Sequence, residues 1–135
     1  MTGHGRIILQ LSLVVGALYD LAFGLGILLA PGPLAGVLGL PLPPDQLYLR
    51  FLSVFLFGLA LYYLLPAVDP ERFRPVVWVA VAVRIMGFLF MATAWIFFSR
   101  PGIFLLLGAV DLAFAMAHGA GLLATRERHV TTPKS

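Results

Sequence analysis

Four long apolar stretches, separated by proline and charged residues, dominate this chain of 135 residues. A helix needs about 20 residues to cross ~30 Å of hydrocarbon, and each stretch has that length. They run over residues 7–30, 47–66, 75–98 and 102–124. We therefore predict an all-α integral membrane four-helix bundle. Residues 1–125 form the transmembrane domain in this prediction, and residues 126–135 form a cytoplasmic tail.

The composition supports this prediction. The chain is 61% hydrophobic and 11% charged, whereas soluble domains carry about 25% charged residues. Too few polar residues are present to cover a soluble surface. The net charge of +3 comes without a basic stripe or interleaved aromatic residues, so we expect membrane lipids as partners and no nucleic acid.

Proline placement agrees with the proposed spans. None of the ten prolines lies inside a stretch, although some stand at its first or last residue, and proline disrupts a helix interior but suits a first turn. We predict that Pro31 and Pro66 mark helix ends and that Pro75 and Pro101 mark starts. The first stretch is longer than the roughly 7–15 apolar residues of a secretory signal, so we expect a retained helix.

The connection over residues 31–46 is the longest of the three. Within it, Leu34, Val37 and Leu38 have the spacing of one face of a short interfacial helix. The last connection is little more than Ser99 to Pro101, so the third and fourth spans are predicted to be antiparallel neighbours.

The distribution of Lys and Arg predicts the orientation. Short cytoplasmic loops carry an excess of these residues. Six lie on the side of the termini and the second loop, against two, Arg50 and Arg100, on the other. Both termini are therefore predicted to be cytoplasmic, in a multi-pass protein of the bacterial inner membrane. The six are Arg6, Arg72, Arg74, Arg126, Arg128 and Lys134.

Four charged residues fall inside the proposed spans: Asp20, Arg50, Arg84 and Asp111. A charge at the bilayer centre costs about 2.5–3.5 kcal/mol on insertion scales, so such residues usually face a partner or a wet cavity. With a rise of ~1.5 Å per residue, Arg84 and Asp111 lie at the same depth. We predict two ion pairs, Arg84–Asp111 and Arg50–Asp20, with zero net charge.

Three interpretations of these charges remain open. They fix the helix arrangement, or they provide a polar site in an apolar pocket for the head of a lipophilic ligand, or they face lipid and snorkel toward the interface, for which Arg50 is the best placed. In the second case, residues that share faces with the charges are predicted to line the pocket. They are Tyr19, Phe88, Met91, Trp95, Phe114 and His118.

His118 admits three roles at this stage: a hydrogen-bonded structural histidine, an extension of a proton path, or a cofactor ligand. The chain has no cysteine, which excludes thiolate metal sites and thiol redox chemistry. We expect no metal and no evident cofactor, and a bound lipid or quinone is the ligand that the site would take.

The opening YDLAFGLGILLAP and the connection PLAGVLGLPLP, together with four short spans, resemble the DoxX-like group of small four-helix bacterial membrane proteins. The similarity covers residues 7–124 and lies in the uncharacterised branches of that group. It implies a four-helix bundle. Some members are linked to quinone-coupled sulfur oxidation or thiol stress, but without cysteine the thiol chemistry is not carried over.

Three functions remain open. The first is a non-enzymatic subunit or scaffold of a membrane assembly, as a homo-oligomer or within a larger complex, favoured by the small size and short loops. The second is a binder or transporter of a quinone, isoprenoid or sterol-like lipid through the intramembrane charges. The third is an isomerase or oxidoreductase acting on that ligand, although no residue is singled out as catalytic.

Overall fold

The computed structural model describes residues 2–126, and five helices account for most of them. Four are long and apolar enough to cross a membrane, so the chain is a multi-pass membrane protein. In chain order the helices are α1 (Thr2–Leu29), α2 (Pro31–Leu38), α3 (Leu47–Val68), α4 (Arg74–Phe97) and α5 (Ile103–Arg126).

The predicted all-α fold with four spanning helices is confirmed, and α1 and α3 extend beyond their apolar stretches. α1 begins at Thr2, five residues before the stretch that starts at residue 7, because helical hydrogen bonding continues into the polar residues. α3 runs through Pro66 to Val68. Pro66 lies in the last turn, where the missing N–H removes only one helical bond before the helix ends.

The short helix α2 occupies the connection where the sequence predicted one. Pro31 stands in its first turn, and Gly39 ends it in the left-handed conformation with φ of 66°. Leu34 packs toward Gly26 of α1, whereas Val37 is exposed. Of the predicted apolar face, Leu34 therefore packs against the bundle and Val37 does not.

The spanning helices follow one another around the bundle in the order α3, α1, α5, α4. α1 packs extensively on α3 and on α5, and α5 packs extensively on α4. α3 and α4 follow one another in the chain but make few contacts. The four spanning helices therefore form an incomplete ring that is open between α3 and α4.

The half of the bundle that contains the chain termini is tightly packed. Its core joins the first half of α1, the second half of α3, the start of α4 and the end of α5. Polar contacts reinforce this end: Gln10 donates to the carbonyl of Ala67, and Arg74 donates to the carbonyl of Leu122. The core residues are Leu9, Leu13, Ala17, Ala60, Tyr63, Ala67, Val77, Ala80 and Leu122.

Large apolar side chains cover the outside of all four long helices, among them Leu11, Leu61, Phe90 and Leu106. A soluble monomer rarely exposes apolar patches of more than a few hundred Å². Hydrocarbon is the solvent that such a surface fits, because lipid tails impose no penalty on exposed leucine and phenylalanine.

Candidate functional site: a charged cluster at the end of an apolar cavity

Arg84 lies midway along α4, and its guanidinium reaches two other helices. Nη1 donates a hydrogen bond to Oδ1 of Asp111 on α5 at 2.7 Å, and Nη2 donates to Oδ2 of Asp20 on α1 at 2.9 Å. Nη2 also donates to the carbonyl of Gly16 at 3.2 Å. The predicted pair between Arg84 and Asp111 is therefore confirmed, and equal depth is what allows it. Helices α1, α4 and α5 all meet at the guanidinium of Arg84.

The predicted pair between Arg50 and Asp20 is wrong. Arg50 donates to the carbonyl of Leu28 at 2.7 Å and to Oε1 of Gln46 at 3.3 Å. It sits at the start of α3, beside the end of α1, where free carbonyls and the negative end of the helix dipole attract a cation. Asp20 lies two turns deeper and bonds Arg84 instead.

Aromatic rings surround the guanidinium of Arg84. Its Cζ lies 4.8 Å from the ring centroid of Tyr63, 4.9 Å from that of Phe114 and 5.7 Å from that of Tyr19. A cation over an aromatic face is stabilised by the ring quadrupole, more strongly when water is excluded. The rings therefore hold the guanidinium in place without supplying further charge.

His118 lies fully buried on the other side of this cluster. Its Nδ1 is 2.9 Å from the hydroxyl of Ser12, and that hydroxyl donates its only proton to the carbonyl of Leu9. Nδ1–H is then the donor and Ser12 the acceptor, which leaves Nε2 as an acceptor. Among residues 2–126 this Nε2 has no hydrogen-bond partner. This geometry fits the role of a hydrogen-bonded structural histidine, and its Nε2 acceptor has no partner among the described residues.

A cavity of about 390 Å³ begins at the charged cluster and extends toward the end of the bundle that carries α2. It lies where α3 and α4 stand apart. Asp20, Arg84, Asp111 and Tyr63 are at its polar end. Apolar side chains make up nearly all of the remaining wall, among them Phe23, Ile27, Leu52, Leu56, Leu59 and Met91, with Leu34, Leu38 and Leu40 at the end away from Arg84.

The residues that the sequence predicted as pocket lining are divided by the structure. Tyr19 and Met91 line the cavity. Phe114 and His118 pack together on the other side of Arg84, with ring centroids 6.0 Å apart. Neither lines the cavity, although Phe114 packs against Tyr19 and His118 against Tyr63, which do.

Phe88 and Trp95 also lie away from the cavity. Phe88 packs against Gly108 of α5, and Trp95 is 43% exposed on the outer surface. The α4 residues that line the cavity are Val83, Arg84, Gly87 and Met91. Phe88 follows Gly87 by about 100° around the helix, which turns it toward α5.

Sequence reasoning missed the wall that α3 contributes, above all Tyr63. This tyrosine is fully buried, lines the cavity, and its hydroxyl has no hydrogen-bond partner among the described residues. A tyrosine more than halfway along an apolar span was the available signal, since a buried phenol usually finds a polar partner. The apolar side chains of α2 and α3 carried no signal, because leucines that face a cavity and leucines that face lipid look alike in sequence.

Fold and site together define a multi-pass helical membrane protein with a buried charged cluster at one end of an apolar cavity. Searches against protein-family models, curated proteins and solved structures found no match to this chain.

Proposed function

We propose that this protein binds a small lipophilic molecule with a polar head in the cavity between α3 and α4. The observation that carries the proposal is the cavity itself, whose apolar wall ends on the buried cluster of Arg84, Asp20 and Asp111. Ligand pockets are typically about 300–1,000 Å³, mostly apolar, with a few convergent polar groups. The cavity of about 390 Å³ has this size and this distribution of groups.

The position of the cavity supports a lipophilic ligand. Its wall includes residues of α3 and α4, two helices that make few contacts with each other. In the proposed route, a molecule dissolved in the bilayer enters between these two helices without crossing water. The opposite half of the bundle is closely packed by residues such as Leu13, Val77 and Leu122. If the charges served only to hold the helices together, no adjoining cavity would be needed.

A tryptophan that fills the cavity tests this proposal. Leu56 of α3 lines the cavity, whereas Leu61 of the same helix is 69% exposed to lipid. The protein is purified in neutral detergent, and its co-purified small molecules are identified by mass spectrometry. Wild type and Leu61→Trp are expected to retain the same lipophilic compound in comparable amounts, and Leu56→Trp is expected to lose most of it.

Equal retention of every compound by the two tryptophan variants would refute the proposal, because the compounds would then lie on the outer surface. Met91→Trp, which enters the same cavity from α4, replaces Leu56→Trp if that variant does not fold. Loss of the compound from both cavity variants would place it between α3 and α4.

Other expectations from the sequence stay predictions. These are a role as a non-enzymatic subunit or scaffold, membership of the DoxX-like group, and location in a bacterial inner membrane. A binding role is compatible with each of them. Purification from native membranes under mild conditions would test the first, since a subunit is expected to co-elute with its partners at constant ratio.

A further inference from the structure

The charged cluster holds more acid than base. One guanidinium, that of Arg84, faces two carboxylates, those of Asp20 and Asp111. The formal charge is therefore +1 − 2 = −1. Nη1 of the guanidinium donates to Asp111, and Nη2 donates to Asp20 and to the carbonyl of Gly16.

Within residues 3–125, no other cation lies within salt-bridge distance of either carboxylate. Arg50, which was predicted to pair with Asp20, caps the end of α1 through the carbonyl of Leu28. The other arginine of α4, Arg74, lies at the start of that helix and donates to Thr125 and to the carbonyl of Leu122. An uncompensated charge inside a membrane is costly. Binding of one more positive group would therefore stabilise the cluster.

Asp111 is the member of the cluster that a ligand meets first. Its side chain is 18% exposed, against 3% for Asp20 and 6% for Arg84. Its bond to Arg84 uses Oδ1. The other oxygen, Oδ2, lies beside Gly87, which also lines the cavity. Among the three charged side chains, the carboxylate of Asp111 is therefore the most accessible at the end of the cavity. The Nε of Arg84 is buried and has no hydrogen-bond partner among the described residues.

A second polar residue, Tyr63, lines the same end of the cavity. Its hydroxyl is buried and has no hydrogen-bond partner within residues 3–125. A phenol oxygen accepts hydrogen bonds. Tyr19 adds an aromatic face that lines the cavity, and aromatic faces attract ammonium groups. A carboxylate, a free phenol and an aromatic face together match a group that is positive and carries several N–H donors.

We propose that the ligand is an amphiphile with a cationic ammonium head, which neutralises Asp111 and hydrogen-bonds to Tyr63 while its apolar tail fills the cavity. This inference rests on the proposed function and narrows the ligand class. Quinones present carbonyl acceptors and fatty acids present carboxylates, and neither supplies the missing positive charge.

Three probes that share one tail and differ only in the head test the inference. Decylammonium, decanol and decanoate are each titrated against delipidated protein in neutral detergent, and the bound fraction is read by native mass spectrometry and by thermal shift. Because hydrogen bonds to charged groups contribute about 1.5–3 kcal/mol, decylammonium is expected to bind at least about tenfold more tightly than either other probe.

Asp111→Asn leaves the cluster with one acid, Asp20, and one base, Arg84. The side-chain amide of the introduced asparagine is still able to accept a hydrogen bond from Arg84. This variant is expected to lose the preference for decylammonium and to bind decanol as wild type does. Asp69→Asn is the matched control, since Asp69 lies outside the spans at the end of α3. It is expected to keep the wild-type order of the three probes.

The outcomes separate the two proposals. If decanol or decanoate binds as tightly as decylammonium, or if Asp111→Asn retains the preference, the cationic head is wrong and the binding function stands. If no probe binds wild type better than it binds Leu56→Trp, the proposed function fails as well. The comparison within wild type needs no variant, so it is decisive even if Asp111→Asn does not fold.

Discussion

At the scale of single residues, Arg84 organises the interior of this protein. It is 5% exposed, and three helices meet at its guanidinium. Because two carboxylates depend on it, the cluster is not a symmetric ion pair. Removal of the base and removal of one acid should therefore have very different consequences.

We expect Arg84→Leu to destabilise the protein strongly. It leaves Asp20 and Asp111 buried without a cation, and breaking a buried pair on one side costs about 3–5 kcal/mol. Adding Asp20→Leu and Asp111→Leu removes every charge of the cluster and should recover most of that loss. Thermal unfolding in neutral detergent measures both effects.

Arg50→Leu is the control for Arg84→Leu, because among the described residues the side chain of Arg50 hydrogen-bonds only to the carbonyl of Leu28 and to Gln46 and forms no ion pair. It should lower the unfolding temperature far less. If the triple variant is no more stable than Arg84→Leu alone, the unpaired charges of Asp20 and Asp111 are not the cause of the destabilisation.

At the scale of elements, the spacing of the helices is set by glycines at their contacts. Gly121 brings α5 against α1: a Cβ at this position would lie 2.8 Å from Cβ and 3.2 Å from Cα of Leu9. Small residues let backbones approach closely in membranes, where packing drives helix association. The close approach of α1 and α5 keeps both acids within reach of Arg84.

We expect Gly121→Ala to destabilise the bundle by about 1–3 kcal/mol, the usual cost of overpacking, because α1 and α5 must separate. Gly119 of the same helix is the matched control, since an added Cβ there meets nothing within 4 Å. Gly119→Ala should be neutral or slightly stabilising, as alanine is the better helix former. Thermal unfolding in detergent compares them, and equal effects would contradict the contact.

At the scale of the whole molecule, the bundle is asymmetric along its axis. The half with the chain termini is closely packed, and the half with α2 contains the cavity. Arg84, Asp20 and Tyr63 lie at the boundary between the two halves. The excess of Lys and Arg on the side of the termini predicts that the packed half faces the cytoplasm and that the cavity half faces outward.

The absence of native cysteine allows a direct test of this orientation. Pro44 and Glu71 lie in connections at opposite ends of the bundle and are both exposed. In intact cells, a membrane-impermeant maleimide should label Pro44→Cys and not Glu71→Cys, and permeabilised cells should label both. The reverse pattern would invert the predicted topology.

The sequence determined the spanning helices, because crossing hydrocarbon requires long apolar segments with internal hydrogen bonds and prolines delimit them. It also predicted the pair between Arg84 and Asp111, since the rise per residue places both residues at a similar depth, and the structure confirmed that pair. It did not determine the partner of Asp20, because depth alone does not say which way a side chain faces or which helix stands opposite.

Only the tertiary structure decided the charge balance of the cluster and the place of the cavity. Arg50 and Arg84 are equal candidates for Asp20 by charge, and helix packing selected Arg84. The cavity exists because α3 and α4 stand apart although they follow one another in the chain. Leucines facing lipid, a core or a cavity have the same chemistry, so helix packing alone distinguishes Leu56 from Leu61.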